Sequence, residues 1–141
     1  MTSSIHSALW EWLAGCATIT KLFFNFSGQE DGDTAIATAG DTLLEDYIDG
    51  SQRRRYAFEL IRYLPASFTA NDDSNVLMME DVDGIVAWVQ QQNDDGAFPT
   101  FPAGYIVESV GVLEEGAGYV AAQDQNVAKY MIPFAIDYLK E

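Results

Sequence analysis

The sequence predicts an α+β domain: a mostly antiparallel sheet of about four to six strands with an extended hairpin, and two main helices packed on one face. Three observations lead there. Apolar residues recur at helical spacing in two segments, one near the N-terminus and one over residues 75–92. The β-like runs come in groups and do not alternate one-for-one with helices, which is the order of an α+β fold and not of a parallel βαβ fold. An Asp49-Gly50 step lies between two such runs, the strongest short-range hairpin signal. At 141 residues the chain reads as one domain, 1–141.

Residues 3–14 read as a helix capped by Ser3 or Ser4, with Gly15 at the position after its end and Ile5, Leu9, Trp12 and Leu13 on one stripe. Trp10 falls off that stripe. Residues 21–26 read as a strand with Leu22, Phe24 and Phe26 on one side, and 28–33 as a polar turn. Residues 34–38 lean towards strand, with a turn or bulge at Gly40-Asp41. The hairpin arms are 43–48 and 54–64. Tyr56, Phe58 and Leu60 alternate in the second arm, whereas the first mixes apolar and acidic residues on both faces. That mixture predicts a hairpin reaching past the core, with one portion open to water or a partner.

Residues 65–75 are turn and cap types. In the helix over 75–92, Met79, Val82, Val86 and Val89, widened by Met78, Ile85 and Trp88, form the apolar stripe. Glu80, Asp81 and Asp83 lie in its first half, where the helix dipole favours negative charge. Residues 93–96 end it. The Phe98-Pro99-Thr100-Phe101-Pro102 segment reads as a rigid aromatic loop, 105–113 as a strand, 114–118 as a turn region and 119–126 as a mobile polar loop. Ala128, Tyr130, Ile132, Phe134, Ile136 and Tyr138 alternate cleanly, and Pro133 among them predicts an edge strand or a bulge.

With 22 acidic and 7 basic residues the net charge is −15, which argues against gripping nucleic-acid phosphates or an anionic membrane surface. Hydrophobic content of 48% and aromatic content of 13% exclude an acidic disordered tail. No signal-peptide pattern and no apolar run of transmembrane length is read, and the single Cys16 excludes an internal disulfide; together these predict folding in a reducing cytoplasm with Cys16 as a half-buried, inert thiol. His6 is the only histidine, with no partner for a triad or zinc site, and reads as an exposed helix residue. Asn71, Asp73 and Asn75 match the start of a calcium loop, but Val76 and Val82 stand where Gly and a bidentate Glu belong. A carboxylate pair for glycoside hydrolysis is not singled out among so many acids. No phosphate-loop, dinucleotide or nucleophile-elbow spacing occurs. Catalytic, cofactor-binding and metal residues are therefore assigned to none. The one cluster with a partner in view is basic: Arg53, Arg54, Arg55 and Arg62, beside Asp49, read as a patch for docking to an acidic surface, including a second copy of the chain.

Residues 42–60, 21–26, the Phe98-Pro99-x-Phe101-Pro102 loop and 123–130 resemble a family of small minor capsid proteins of siphoviruses and prophages of Gram-positive bacteria, a likeness running from about residue 8 to 141. The element order is similar to that of tail-terminator and tail-completion proteins of long-tailed phages. The resemblance implies a virion structural protein and not an enzyme, without cofactor, forming a ring, a hexamer in that group, at the head-proximal end of the tail. It implies copies of itself, the tail tube protein and head–tail connector proteins as partners, DNA only as the genome passing through the lumen, and no membrane. The implied location is the head–tail junction of the virion, with assembly in the host cytoplasm. Six copies would carry about −90 in charge, suited to a lumen that repels passing DNA. The readings that compete with this one are an acidic DNA-mimic inhibitor and a carboxylate-based hydrolase.

Overall fold

The computed structural model describes residues 4–25, 32–65, 71, 73–113, 119–124 and 127–141. Helix α1 (Ile5–Leu13) opens on a reciprocal cap: the Ser4 hydroxyl accepts the Ser7 backbone N–H at 3.1 Å and the Ser7 hydroxyl accepts that of Ser4 at 3.2 Å. Leu9 and Leu13 are fully buried, Ile5 and Trp12 pack at the rim of the core, and Trp10 stays exposed, as the stripe predicts. The helix does not end on a left-handed Gly15. It closes on tight turns in which Gly15 and Cys16 donate to the carbonyls of Trp12 and Leu13.

Strand β1 (Lys21–Phe24) is shorter than the sequence suggests, because Asn25 turns into the left-handed region (φ 62°); Phe26 lies outside the described residues. Strand β2 (Asp33–Asp46) joins the two expected β segments into one, with bulges between Thr38 and Gly40 and between Leu43 and Glu45; Gly40 takes φ 138°, open to glycine. Of the expected 28–33 turn, residues 28–31 lie outside the described residues. Asp33 is no turn residue: it starts β2 and is buried. Strand β3 (Gln52–Pro65) returns antiparallel.

Helix α2 (Ser74–Asp95) buries Val82, Ile85 and Val89 and ends on Gly96 in the left-handed region (φ 68°). Its first turn holds no acid. Glu80, Asp81 and Asp83 sit further along, where the dipole no longer accounts for them. Strand β4 (Tyr105–Val112) follows, and then β5 (Tyr119–Asp124) occupies most of the segment expected as a mobile loop. The Ala-Ala-Gln sequence of β5 has no apolar alternation; its pairing with β6 (Val127–Lys140) makes it a strand. The expected 114–118 turn lies outside the described residues.

The six strands run β1-β2-β3-β6-β4, with β5 also on β6. All pairs are antiparallel except β1–β2. Strand β6 is therefore central, and Pro133 lies neither at an edge nor in a bulge: its pairing with β3 is continuous through Pro133–Glu59. The Pro133 carbonyl accepts the Leu113 N–H at 2.9 Å, so its nitrogen faces the same side. There β4 ends at Val112 and β5 begins at Tyr119, and the missing donor falls at the seam between them.

One face of this sheet carries Tyr56, Phe58, Leu60, Tyr130, Ile132, Phe134, Ile136 and Tyr138, all buried. Both helices cover it. The Trp12 and Trp88 rings stand 4.9 Å apart and tie α1 to α2, and Trp12 Nε1 donates to the Ala97 carbonyl at 2.8 Å. Phe101 of the aromatic loop meets Tyr138 edge-on at 5.3 Å.

Candidate functional site

The candidate residues lie on the β2–β3 hairpin. Side chains of a strand alternate between faces, so the Arg53-Arg54-Arg55 run is split. Arg54 points to the helix-covered face with Tyr56 and Arg62, whereas Arg53 and Arg55 point to the opposite one. Each then meets carboxylates of its own chain. Arg53 donates to Glu108 at 3.0 Å and Glu45 at 3.3 Å. Arg55 forks onto both oxygens of Asp137 at 2.8 and 3.1 Å. Arg54 donates to Asp41 at 2.9 Å and to Gln52 at 3.1 Å, while the Tyr138 hydroxyl donates to the other Asp41 oxygen at 2.5 Å. These bonds hold the guanidiniums of Arg53, Arg54 and Arg55 above even their usual high pKa.

Arg62 is 5% exposed and faces α2. It forks onto Asp81 at 2.6 and 3.2 Å, and donates to the Thr34 hydroxyl at 2.7 Å and the Thr18 carbonyl at 3.3 Å. It is a clamp between sheet, helix and the α1–β1 connection, not part of a surface. Asp49 lies in the turn: its carboxylate accepts the Ser51 hydroxyl and N–H at 2.6 and 2.9 Å, which lowers its pKa. The five candidates are thus not one basic patch. A run of charges in sequence became, through strand alternation and in-chain pairing, four neutralised guanidiniums and a turn.

The hairpin presents apolar surface instead. Residues 38–50 are all exposed, since β1 ends opposite Ile36 and leaves the distal half of β2 as the sheet edge. Leu43, Leu44 and Tyr47 are 44%, 38% and 40% exposed, and Ile48 is wholly so. The mixed apolar and acidic first arm was the signal for this in the sequence.

Elsewhere, a cleft of about 240 Å³ is lined by Ile5, His6, Thr38, Gly40, Asp41 and Tyr56. His6 is exposed on α1, and its Nδ1 lies 2.8 Å from the Tyr56 hydroxyl. Burial, helped by the Asp41 charge, pushes the Tyr56 hydroxyl up to about 12. Burial and then the Asp41 hydrogen bond raise Tyr138 as well. Asp41 is the cleft's one carboxylate, and Arg54 and Tyr138 already hold it. Among the described residues no three His, Cys, Asp or Glu converge as a metal site would require, and Asp73 of the calcium-loop match is the N-cap residue of α2. Cys16 is buried, at 2% exposure, rather than half-buried. Among the described residues no helix is long and apolar enough to cross a membrane. Comparison of the chain with known protein families and with curated proteins finds no match.

Proposed function

We propose that this chain is a phage virion structural protein at the head-proximal end of the tail, capping the tail tube as a ring and taking part in head–tail joining. The observation that carries the reading is the architecture. A six-stranded, mostly antiparallel sheet is backed by two helices on one face, its central hairpin ends in an exposed apolar edge, and its four arginines are spent on pairing within the chain. That economy suits a building block and not a catalyst, and it accords with the resemblance drawn from the sequence. The function is architectural analogy in this respect.

The structure changes how such a ring would close. With Arg53, Arg54, Arg55 and Arg62 paired inside the chain, opposite charge does not hold copies together. Closure instead relies on apolar and backbone contacts, and the acids left over face water or the lumen. Phage lacking the protein tests the reading by negative-stain microscopy. Tails of uncontrolled length support a terminator. Normal tails beside unattached heads support a joining protein. Normal virions overturn both.

The surplus of carboxylates, with the arginines neutralised at home, also favours a second reading as an acidic DNA mimic. A mimic would compete with DNA for a nuclease or repressor and would ignore tail tubes; a tube-capping protein does the reverse.

A further inference from the structure

We infer that the sheet face turned away from the helices is a contact between two copies of this chain, packed face to face about a two-fold axis, with Glu59 of each copy taking Lys129 of the other. Such a contact uses the same patch on both copies and closes on itself. It is therefore distinct from the head-to-tail closure of a ring, and it stands whether or not a ring forms.

The register defines the face. Side chains alternate along a strand, so Glu59, Ile61 and Tyr63 of β3 point away from the helices, beside Pro133, Met131 and Lys129 of β6. Ala57, Ala135 and Gly111 form the next row across β3, β6 and β4. The only charges in these rows are Glu59 and Lys129. Among the described residues no helix lies over this face, because both helices cover the other one. Its small side chains let a second sheet approach to the usual spacing of about 10 Å.

Two observations on that face name the occupant. First, the Oε2 atom of Glu59 is buried and has no hydrogen-bond partner among the described residues. The residues on either side of Glu59 are Ala37 and Pro133, which offer none. A buried carboxylate oxygen left in this state calls for a donor from outside the chain. Second, Lys129 supplies the matching cation. It lies one strand over and four positions along from Glu59, about 14 Å away by strand geometry, beyond reach within one chain. It has no ion pair among the described residues, whereas Arg53 and Arg55 on the same side of the sheet hold Glu45, Glu108 and Asp137, and Lys21 lies 4.0 Å from Asp33.

That offset makes the pair reciprocal. A two-fold axis between two such faces, running across the strands at the Ile61–Met131 pair, sets Glu59 of one copy opposite Tyr63 of the other. Lys129 lies beside Tyr63, and its flexible four-carbon stem spans the one-strand offset. The axis does this twice, so both carboxylates gain a cation while Ile61 and Met131 meet at the centre. The rows span roughly 400 Å² by strand spacing, about half of what one partner contributes to a standard stable complex, and each copy brings −15. The dimer is accordingly weak, and the two ion pairs decide whether it forms.

Sedimentation velocity over a concentration series is the test. The parent chain should pass from monomer to dimer below about 1 mM. Glu59→Lys and Lys129→Glu should each weaken that step at least about tenfold, because like charges then face one another. Glu59→Lys also lowers the net negative charge, so a dimer governed by overall repulsion alone would strengthen instead. Carrying both substitutions in one chain, or mixing the two single variants in equal amounts, should restore the dimer, since every lysine again meets a glutamate. Ile48→Asp at the hairpin end should leave it unchanged. A parent that stays monomeric throughout the series, a dimer that Glu59→Lys strengthens, a mixture that stays monomeric, or a dimer lost in Ile48→Asp overturns the inference and leaves the proposed function to its own test in tail morphology. Circular dichroism checks that each variant folds. Should a charge swap unfold the chain, the near-isosteric Glu59→Gln decides: it should weaken the dimer, and an unchanged dimer overturns the inference.

Discussion

Arg62 and Arg53 stand on the same strand, nine positions apart, and differ in almost every physical respect. Arg62 has a side chain 6% exposed and faces α2; Arg53 has one 37% exposed and faces two carboxylates that are themselves open to water. The same guanidinium is a buried clamp in the proximal half of the hairpin and a half-exposed surface pair in the distal half. The difference lies in what covers β2 and β3. Where β1 and the helices lie over the hairpin, a charge must be fully paired; beyond Ile36 the edge is bare and water screens the pairs. The hairpin is accordingly two regions in one element, one that holds the fold and one free to evolve as a contact.

The largest effect expected from breaking this contrast comes from Asp81. Asp81→Ala leaves the Arg62 cation buried with only a hydroxyl and a carbonyl for partners, and should destabilise the chain by about 3 kcal/mol. Urea denaturation would measure it. Replacing both partners, Arg62→Met with Asp81→Leu, should recover most of that loss, because the penalty belongs to the stranded charge. Equal losses in single and double variants would show that the pair itself carries the stability. Next in size, Leu60→Ala in the fully buried proximal half should lose about 3 kcal/mol, whereas Leu43→Ala at the exposed edge should lose less than about 0.5 kcal/mol. Similar losses at both would mean that the distal half belongs to the core after all.

Much of the proximal half was legible in the sequence. The alternation of Tyr56, Phe58 and Leu60, and of Ala128 to Tyr138, named the buried face directly, and the α2 stripe named the helix that covers it. The distal half was less so. The arginine run makes a patch only where neighbours in sequence are neighbours in space, and a strand sends them to opposite faces. The carboxylates that neutralise the run lie up to 82 positions away, beyond any local pattern. Pro133 departs from the expectation for a related reason: the rule against proline in a ladder concerns one side of one residue, and that side faces the seam where β4 ends and β5 begins. Strand β5 carries no apolar signal of its own and is a strand only because β6 is beside it.

A smaller effect should appear with alkali. In the folded chain Tyr56 ionises near 12, against about 10 when unfolded, chiefly through burial and then through Asp41. The folded state thus holds its proton where the unfolded state has lost it. The resulting stability is fully present below pH 10 and falls as pH rises towards 12. Tyr56→Phe should lose less stability than the parent across that window, in matched urea titrations at successive pH values. Parallel curves would place the alkaline loss elsewhere, Tyr138 being the next hydroxyl to examine, since burial and Asp41 raise it too.

The smallest effect belongs to Arg53, and it bears most directly on the contrast with Arg62. Its bonds to Glu45 and Glu108 are short, yet all three side chains are open to solvent, so Arg53→Ala should change stability by no more than about 1 kcal/mol, and by less in high salt. Its consequence should be local instead. Without the guanidinium, Glu45 on β2 and Glu108 on β4 lose the cation that links them across β3 and β6, so hydrogen exchange should quicken at the hairpin end while the amides of β6 opposite Leu60 stay protected. An Arg53→Ala chain that loses as much stability as Asp81→Ala would erase the distinction between the two halves of the hairpin.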